Sequence, residues 1–537
     1  MICRCILILA FVLVYSASLS AAPFPGPLPN EGLGAVSPGQ KLSVLPKTFV
    51  KGFAITGNKE ISTEELLRVA QPYTNRELVM EQLEGLRQAL ISFYVHRGYI
   101  NSGVIIPDQV VKDGTIHLVV IEGRLTGIEI SGLNHFRESY IRDRLAVDSQ
   151  GTLNLDRLQE SLQLLQQDQR IKRINADLQP GIRPGEAYLK VKVQEESPYQ
   201  MTLRFNNDGS PSTGVYRGEV NFAHRNLFGL GDPLTVDLAV TEGAVDIGAG
   251  YTVPLTLRDT ALAIYYRHNE STVIEEVFSN LDIKSDSDTY GIRLRQPLLK
   301  TVAREFAISL AGEYRESHSF LLGRSFSFSP GEHDGVAKVT VLRLGQEFIK
   351  RGSNHLLVLN STFNLGLAAL GSTTNSHEPD SRFFSWLGQL MLLSQPGESS
   401  TQIMLRTNAQ VSANGLLPLE RFGLGGLNSV RGYRSNLLVR DNGVNSSLEL
   451  RVPLTRSESS FGAVQFVPFI DFGWGWNTDQ ATPSPSTITG IGGGLQWRPT
   501  SQVLLEAYYG YGLTNVKLEN KELSDQGIYV QMTVEVF

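Results

Sequence analysis

At 537 residues the chain is long enough for several domains, and a net charge of −6 with 19% charged residues leaves no basic face of the kind that nucleic acid requires. Its two cysteines are Cys3 and Cys5. A chain processed beyond them has no thiol, which excludes disulfides, zinc–thiolate centres and cysteine nucleophiles together.

Residues 1–22 read as an export signal: Arg4, then the apolar run ILILAFVLVYS, then the small-residue exit SASLSAA. That run is about 11 residues, where a spanning helix needs roughly 20, so the signal reading outweighs an uncleaved anchor. Cleavage is expected near Ser20 or Ala22. Residues 23–48, with PFPGPLPNEGLGAVSPG, form a Pro/Gly-rich linker.

Two copies of one small module follow, at 49–123 and 124–197. FAITGNKEISTEELL, from Phe53, aligns with IEISGLNHFRESYIR, from Ile128. Ile55 matches Ile130, Gly57 matches Gly132, Ile61 matches Phe136 and Leu66 matches Ile141, a period of about 75 residues. Each copy opens on an alternating strand that stops at a glycine. Two helices come next, the second marked by Leu83, Leu86, Leu90 and Phe93 or by Leu155, Leu158, Leu162 and Leu165. A strand pair closes each copy, giving the order β-α-α-β-β twice. Such a module offers a sheet edge to which an unfolded client can add a strand.

From 198 to 537 helical spacing gives way to period-two alternation. In the last segment Ile528, Val530, Met532, Val534 and Val536 share one face, and Tyr529, Gln531, Thr533 and Glu535 the other. A soluble sandwich and a membrane barrel both produce that pattern; the connections separate them. About 16 such segments are joined alternately by short turns (QPGES, PTS, IKRGSN) and by long loops, as in outer-membrane barrels. The barrel therefore begins on its short-turn, periplasmic rim.

The longest connection, 413–442, contains GGLNSVRGYRSN, in which Gly423, Gly425, Gly426 and Gly432 permit tight folding. In FVPFIDFGWGW, parity turns Ile470, Phe472, Trp474 and Trp476 to lipid and Phe469, Asp471, Gly473 and Gly475 to the lumen. If the loop tucks inward, Arg431 and Asp471 can meet as a bidentate fork. A solvated arginine that never reaches the aspartate is the alternative, and on these grounds alone both readings stand. Glu449 and Arg451 also face the lumen and are competing partners.

FGLGGLNSVRGYRSN resembles the VRGY signature of the outer-membrane assembly and secretion superfamily, and FIDFG resembles its partner strand motif. The modules resemble POTRA domains. Through NSSLELRVPL the run is similar to the transporter of two-partner secretion systems, the haemolysin secretion/activation type.

The resemblance implies two POTRA domains followed by a 16-stranded antiparallel transmembrane barrel: α+β periplasmic repeats, then an all-β domain. It implies that Val430, Arg431, Gly432 and Tyr433 form a loop latch, with Asp471, Phe469 and Gly473 as its lumen partner and Glu449 and Arg451 as secondary lumen charges. The implied function is a pore in the outer membrane of a Gram-negative-type bacterium. Its POTRA domains bind an unfolded exoprotein in the periplasm, and the barrel secretes it without ATP. The partners are that exoprotein (a large adhesin, cytolysin or toxin), outer-membrane lipid, and the barrel-assembly machinery during biogenesis; nucleic acid is not among them.

A barrel-assembly factor is the alternative, and resemblance gives such factors three or five modules rather than two. A passive porin or adhesin leaves the modules unexplained. Family members often carry a plug helix before the first module; residues 23–48 are too rich in proline and glycine for one. Phe537 resembles the aromatic terminus of such barrels but falls out of phase with its strand's apolar face.

No phosphate-binding G-x-x-x-x-G-K-[ST] and no H-E-x-x-H spacing among the nine histidines is present, so no metal, cofactor or ATP use is expected. The carboxylates of DIKSDSD, from Asp282, lack the glycine and glutamate of a calcium loop and read as a solvated loop. The chain is read as a non-enzyme, with a serine–histidine site assembled in space as the catalytic alternative.

Overall fold

The computed structural model describes residues 41–147, 151–276, 278–376, 379–397, 400–455, 461–516 and 522–537, in two units that divide between Glu196 and Ser197. The signal segment, most of the linker and any plug helix lie outside the described residues.

In the first unit, one module comprises β1 (Gly52–Thr56), α1 (Thr63–Ala70), α2 (Met80–Val95), β2 (Gly103–Ile105) and β3 (Thr115–Ile121). The next comprises β4 (Arg124–Ser131), α3 (Glu138–Val147), α4 (Leu155–Gln166), β5 (Ile171–Pro180) and β6 (Glu186–Glu195). In both, the last strand takes the centre of the sheet, parallel to the first strand and antiparallel to the middle one. Ser62 caps α1 and Asn154 caps α4 by accepting backbone N–H bonds, which fixes where each helix starts.

Leu83, Leu86 and Leu90 are buried against Ile55 and Leu118, while Leu158 and Leu165 are buried with Ile141 and Val191. The packed chain begins earlier than residue 49. Leu42, inside the expected linker, is buried in the first core, and its N–H donates to Gln109 O.

The repeat has a physical basis at its turns. A Cβ on Gly57 would stand 2.2 Å from Val120 O, and one on Gly132 the same distance from Val193 O. Two residues beyond each of those valines a glutamate closes the turn. Glu122 accepts from Lys59 N and Glu60 N, and Glu195 from Asn134 N, His135 N and Phe136 N. Glu122 also accepts from Thr152 Oγ1 at 3.0 Å, so one carboxylate ties the two modules together.

The second unit is a closed antiparallel barrel of sixteen strands, from Tyr199–Asn206 to Ile528–Glu535, with the two-residue strand Arg324–Ser325 as an extra hairpin arm. Outward positions are apolar and exposed, among them Leu448, Ile470, Phe472, Trp474, Val530 and Met532. The alternation of short and long connections holds with exceptions: Thr241–Gly243 is a tight turn on the long-loop rim, and 225–233 is long on the other.

The sixth and seventh strands, Lys284–Lys300 and Arg304–Leu321, are long, and the sixth takes in most of DIKSDSD, the segment read from the sequence as a solvated loop. Asp286 and Asp288 of DIKSDSD are therefore strand residues, not loop. Asp288 is held there by the Tyr266 hydroxyl and His268, so the ladder continues into water through polar cross-strand pairs.

Candidate functional site: a loop held inside the barrel

The site is built on four neighbouring strands: the twelfth (Asn442–Pro453), thirteenth (Ala463–Trp476), fourteenth (Thr487–Arg498) and fifteenth (Val503–Gly512). Their lumen faces are rich in glycine, and the backbone of the 413–442 loop occupies the space. A Cβ on Gly490 would lie 2.0 Å from Arg431 O, one on Gly510 2.7 Å from Gly432 N, and one on Gly473 2.8 Å from Val430 Cγ2. Of the loop glycines, Gly425, Gly426 and Gly432 have positive φ; Gly423 does not.

Arg431 is 1% exposed, as buried as any core leucine. Its Nε donates to Asp471 Oδ2 at 2.7 Å and one terminal nitrogen to Asp471 Oδ1 at 2.8 Å, the bidentate fork. The same nitrogen donates to Ser447 Oγ at 2.9 Å, and the other to Glu449 Oε1 at 2.9 Å. Four of the five guanidinium donors are thus used, and the Arg431 backbone N–H adds a further bond to Asp471 Oδ2 at 3.0 Å. The guanidinium carbon lies 3.4 Å from the centre of the Phe469 ring, a cation–π contact in a dry setting.

Glu449 does not compete with Asp471; it joins it. It also accepts from Arg406 at 2.8 Å and from Arg451 at 3.2 Å, so Arg451 reaches Arg431 only through this carboxylate.

The neighbours of Arg431 are held as firmly. Val430 and Tyr433 are buried with Leu424, Leu438 and Ile488. The Tyr433 hydroxyl donates to Thr489 O at 2.9 Å and accepts from Thr514 N at 2.8 Å. The Tyr529 hydroxyl accepts from Gly432 N at 3.1 Å and donates to Tyr433 O at 2.7 Å.

Reading the sequence missed three anchors. Arg434 forms a fork with Asp525, both bonds at 3.0 Å. Asp208 accepts from Leu427 N and Ser435 Oγ. Glu420, at the loop's base, pairs with Arg315 and Arg343. Inward parity marks Tyr529; nothing local in the sequence marks Asp208 or Asp525, because their partners lie far along the chain.

Paired α+β modules ahead of a closed sixteen-strand barrel that encloses one of its own loops define an outer-membrane transporter rather than an open porin. The family of haemolysin secretion/activation proteins ShlB/FhaC/HecB matches residues 185–497, and the ShlB-type POTRA domain matches residues 48–123. The chain belongs to that family of outer-membrane secretion transporters, whose POTRA domains are periplasmic.

It is 25% identical over 428 residues to the outer membrane transporter CdiB of Dickeya dadantii (strain 3937), covering 78% of this chain and 74% of the relative. It is 24% identical over 403 residues to the heme/hemopexin transporter protein HuxB of Haemophilus influenzae (strain 86-028NP), covering 72% and 68%. Among solved structures, CdiB from Escherichia coli superposes with a TM-score of 0.68 at 21% identity, covering 93% of this chain and 94% of that one. BamA from Haemophilus ducreyi lacking POTRA domains 1-3 shares the fold alone, with a TM-score of 0.54 at 13% identity over 90% and 99% of the two chains.

Proposed function

We propose that the chain exports a partner exoprotein in unfolded form and that the 413–442 loop is the latch of its pore. The observation that carries this is Arg431, fully buried inside the barrel with both its carboxylates on barrel strands. A buried ion pair adds little net stability over an apolar pair, but breaking it by removing one partner costs about 3–5 kcal/mol. Such a contact favours one register and opposes partial release, so the loop is either home or displaced. A passing polypeptide needs it displaced, and the re-latched pore is the state that receives the next chain, so a loop that cannot latch and a loop that cannot leave both stop export.

The exoprotein is captured extended, by main-chain bonds to a sheet edge such as β5, whose only sheet partner among the described residues is β6. Folding outside the cell supplies direction, and neither ATP nor catalysis by this chain is involved. Lipid covers the outward apolar wall, and the barrel-assembly machinery inserts the barrel. The test is to compare the secreted and outer-membrane proteomes with and without the gene. Loss of one large secreted protein, other barrels unchanged, is expected; a broad fall in outer-membrane barrels overturns the proposal in favour of an assembly factor.

A further inference from the structure

The lipid-facing wall is not uniformly convex. Strand register lines up Ile308, Gln346, Ser361, Gly388 and Ala409 on one rung across the seventh to eleventh strands. This rung faces outward, since it shares parity with the exposed Leu310, Leu344, Leu365, Phe384 and Val411. Small side chains at Ser361, Gly388 and Ala409 leave a groove of about 420 Å³, within the size range of small-molecule sites. Phe348, Leu359 and Leu390, one rung nearer the periplasm, line its periplasmic end.

Trp386 covers the groove from the extracellular side. Its indole lies over Gly388, where a Cβ would stand 2.5 Å from the ring, and its Nε1 donates to Ser361 Oγ at 3.1 Å. The Ser361 hydroxyl therefore pins the tryptophan.

Depth follows from the register. Tyr266, Tyr290 and Tyr314 form one outward rung, the aromatic belt of the outer interface. Gly388 lies six positions above Ser394, the periplasmic end of its own strand, about 20 Å along the strand and roughly 15 Å in height at the usual barrel tilt, and so near the middle of the hydrocarbon. Water is absent at that depth, and an empty slot forfeits the dispersion contacts of its lining atoms.

We infer that this groove is a binding site for one acyl chain of a phospholipid. The groove is continuous with the lipid-facing wall, and only acyl chains reach its depth. Trp386 closes it from above, so the chain enters from the inner leaflet, which is phospholipid.

The full-length protein, reconstituted in nanodiscs of palmitoyl-oleoyl phosphatidylethanolamine with added lipopolysaccharide and then released, is weighed by native mass spectrometry. One retained phospholipid is expected for the wild type. The same is expected for Gly312→Leu, an outward glycine with no groove contact, whose Cβ would meet nothing closer than 3.8 Å. Retention should fall about tenfold or more in Gly388→Leu and in Ala409→Phe, which fill the slot. Should Gly388→Leu fail to give a heat-modifiable barrel, Ala409→Phe decides alone. No lipid on the wild type, equal retention by the groove variants, equal loss in Gly312→Leu, or retained lipopolysaccharide in place of phospholipid overturns the inference.

Discussion

Arg431→Ala removes four side-chain hydrogen bonds and two ion pairs in one step. The two carboxylates left behind are not equivalent. Glu449 keeps Arg406 at 2.8 Å and Arg451 at 3.2 Å. Asp471, wholly buried, keeps the backbone N–H of residue 431, and among the described residues no other cation lies in ion-pair range. Stranding such a charge costs about 3–5 kcal/mol, which moves the loop's equilibrium away from its latched position by roughly two to three and a half powers of ten.

Asp471→Asn keeps the shape but turns an amide donor toward a guanidinium donor, a loss of about 1.5–3 kcal/mol. Glu449→Gln should do least, because Arg431 retains its fork. Each variant is purified, checked for heat-modifiable migration, and assayed for export and for protease cleavage within 413–442. The expected order of export loss and of loop cleavage is Arg431→Ala, then Asp471→Asn, then Glu449→Gln, all with intact barrels. Wild-type export from a folded Arg431→Ala barrel, or a Glu449→Gln defect exceeding it, refutes the latch.

Three further outcomes are expected. Gly490→Ala places a methyl 2.0 Å from Arg431 O without altering any charge, so it should reproduce the Arg431→Ala export defect, whereas Gly218→Ala, with its nearest neighbour at 3.8 Å, should not. In Val430→Cys/Gly473→Cys, a sulfur placed at the present Val430 Cγ2 stands 2.8 Å from the opposite Cβ, close to what a disulfide imposes. Oxidation should stop export and reductant restore it; a pair that forms fully without effect on export would show that the loop need not move.

The third concerns pH. Burial pushes the Asp168 carboxyl up, but the Arg170 guanidinium and the Tyr140 hydroxyl outweigh it and hold the group below the usual carboxylate range. A depressed folded value means the stabilisation is complete above an unfolded pKa of about 3.9 and is lost as pH falls through the folded value. In denaturant melts of residues 41–196, Asp168→Asn should be about 1.5–3 kcal/mol less stable than the wild type at pH 7. That gap should shrink below pH ~4; a gap unchanged into strong acid excludes the ion pair as its source.

Much of the architecture was legible because it rests on local periodicity. The leucines of α2 and α4 and the alternating faces of the last strand each follow from which side of an element meets the core, lumen or lipid. The sixteen-strand barrel followed from the count of alternating segments, and the side of the wall on which Asp471 lies followed from parity in FVPFIDFGWGW. What parity does not contain is depth or company. It puts Glu449 and Asp471 in the lumen but does not say whether one arginine is shared between them. The structure shows it shared, because Leu448 and Ile470 pair across neighbouring strands and so set Ser447, Glu449 and Asp471 around one point.

The loop reading of DIKSDSD fails for a related reason. Above the membrane the outward face becomes polar, so the hydrophobic alternation fades at Asp286 and Asp288 although the hydrogen-bonded ladder continues through them. Leu42 was missed because the apolar residues Leu42, Val44 and Leu45, between Lys41 and Pro46, make too short a run to carry a period. The anchors Asp208 and Asp525 lie furthest from reach: each meets the loop across 219 and 91 residues of chain respectively. Barrel closure alone brings them there, since the final strand pairs with the first and carries both rim segments to the loop's free side. The latch's inner half is therefore written in strand parity, while its outer half exists only once the barrel has closed. That ordering predicts that the loop docks last in folding, after the wall that its arginine requires.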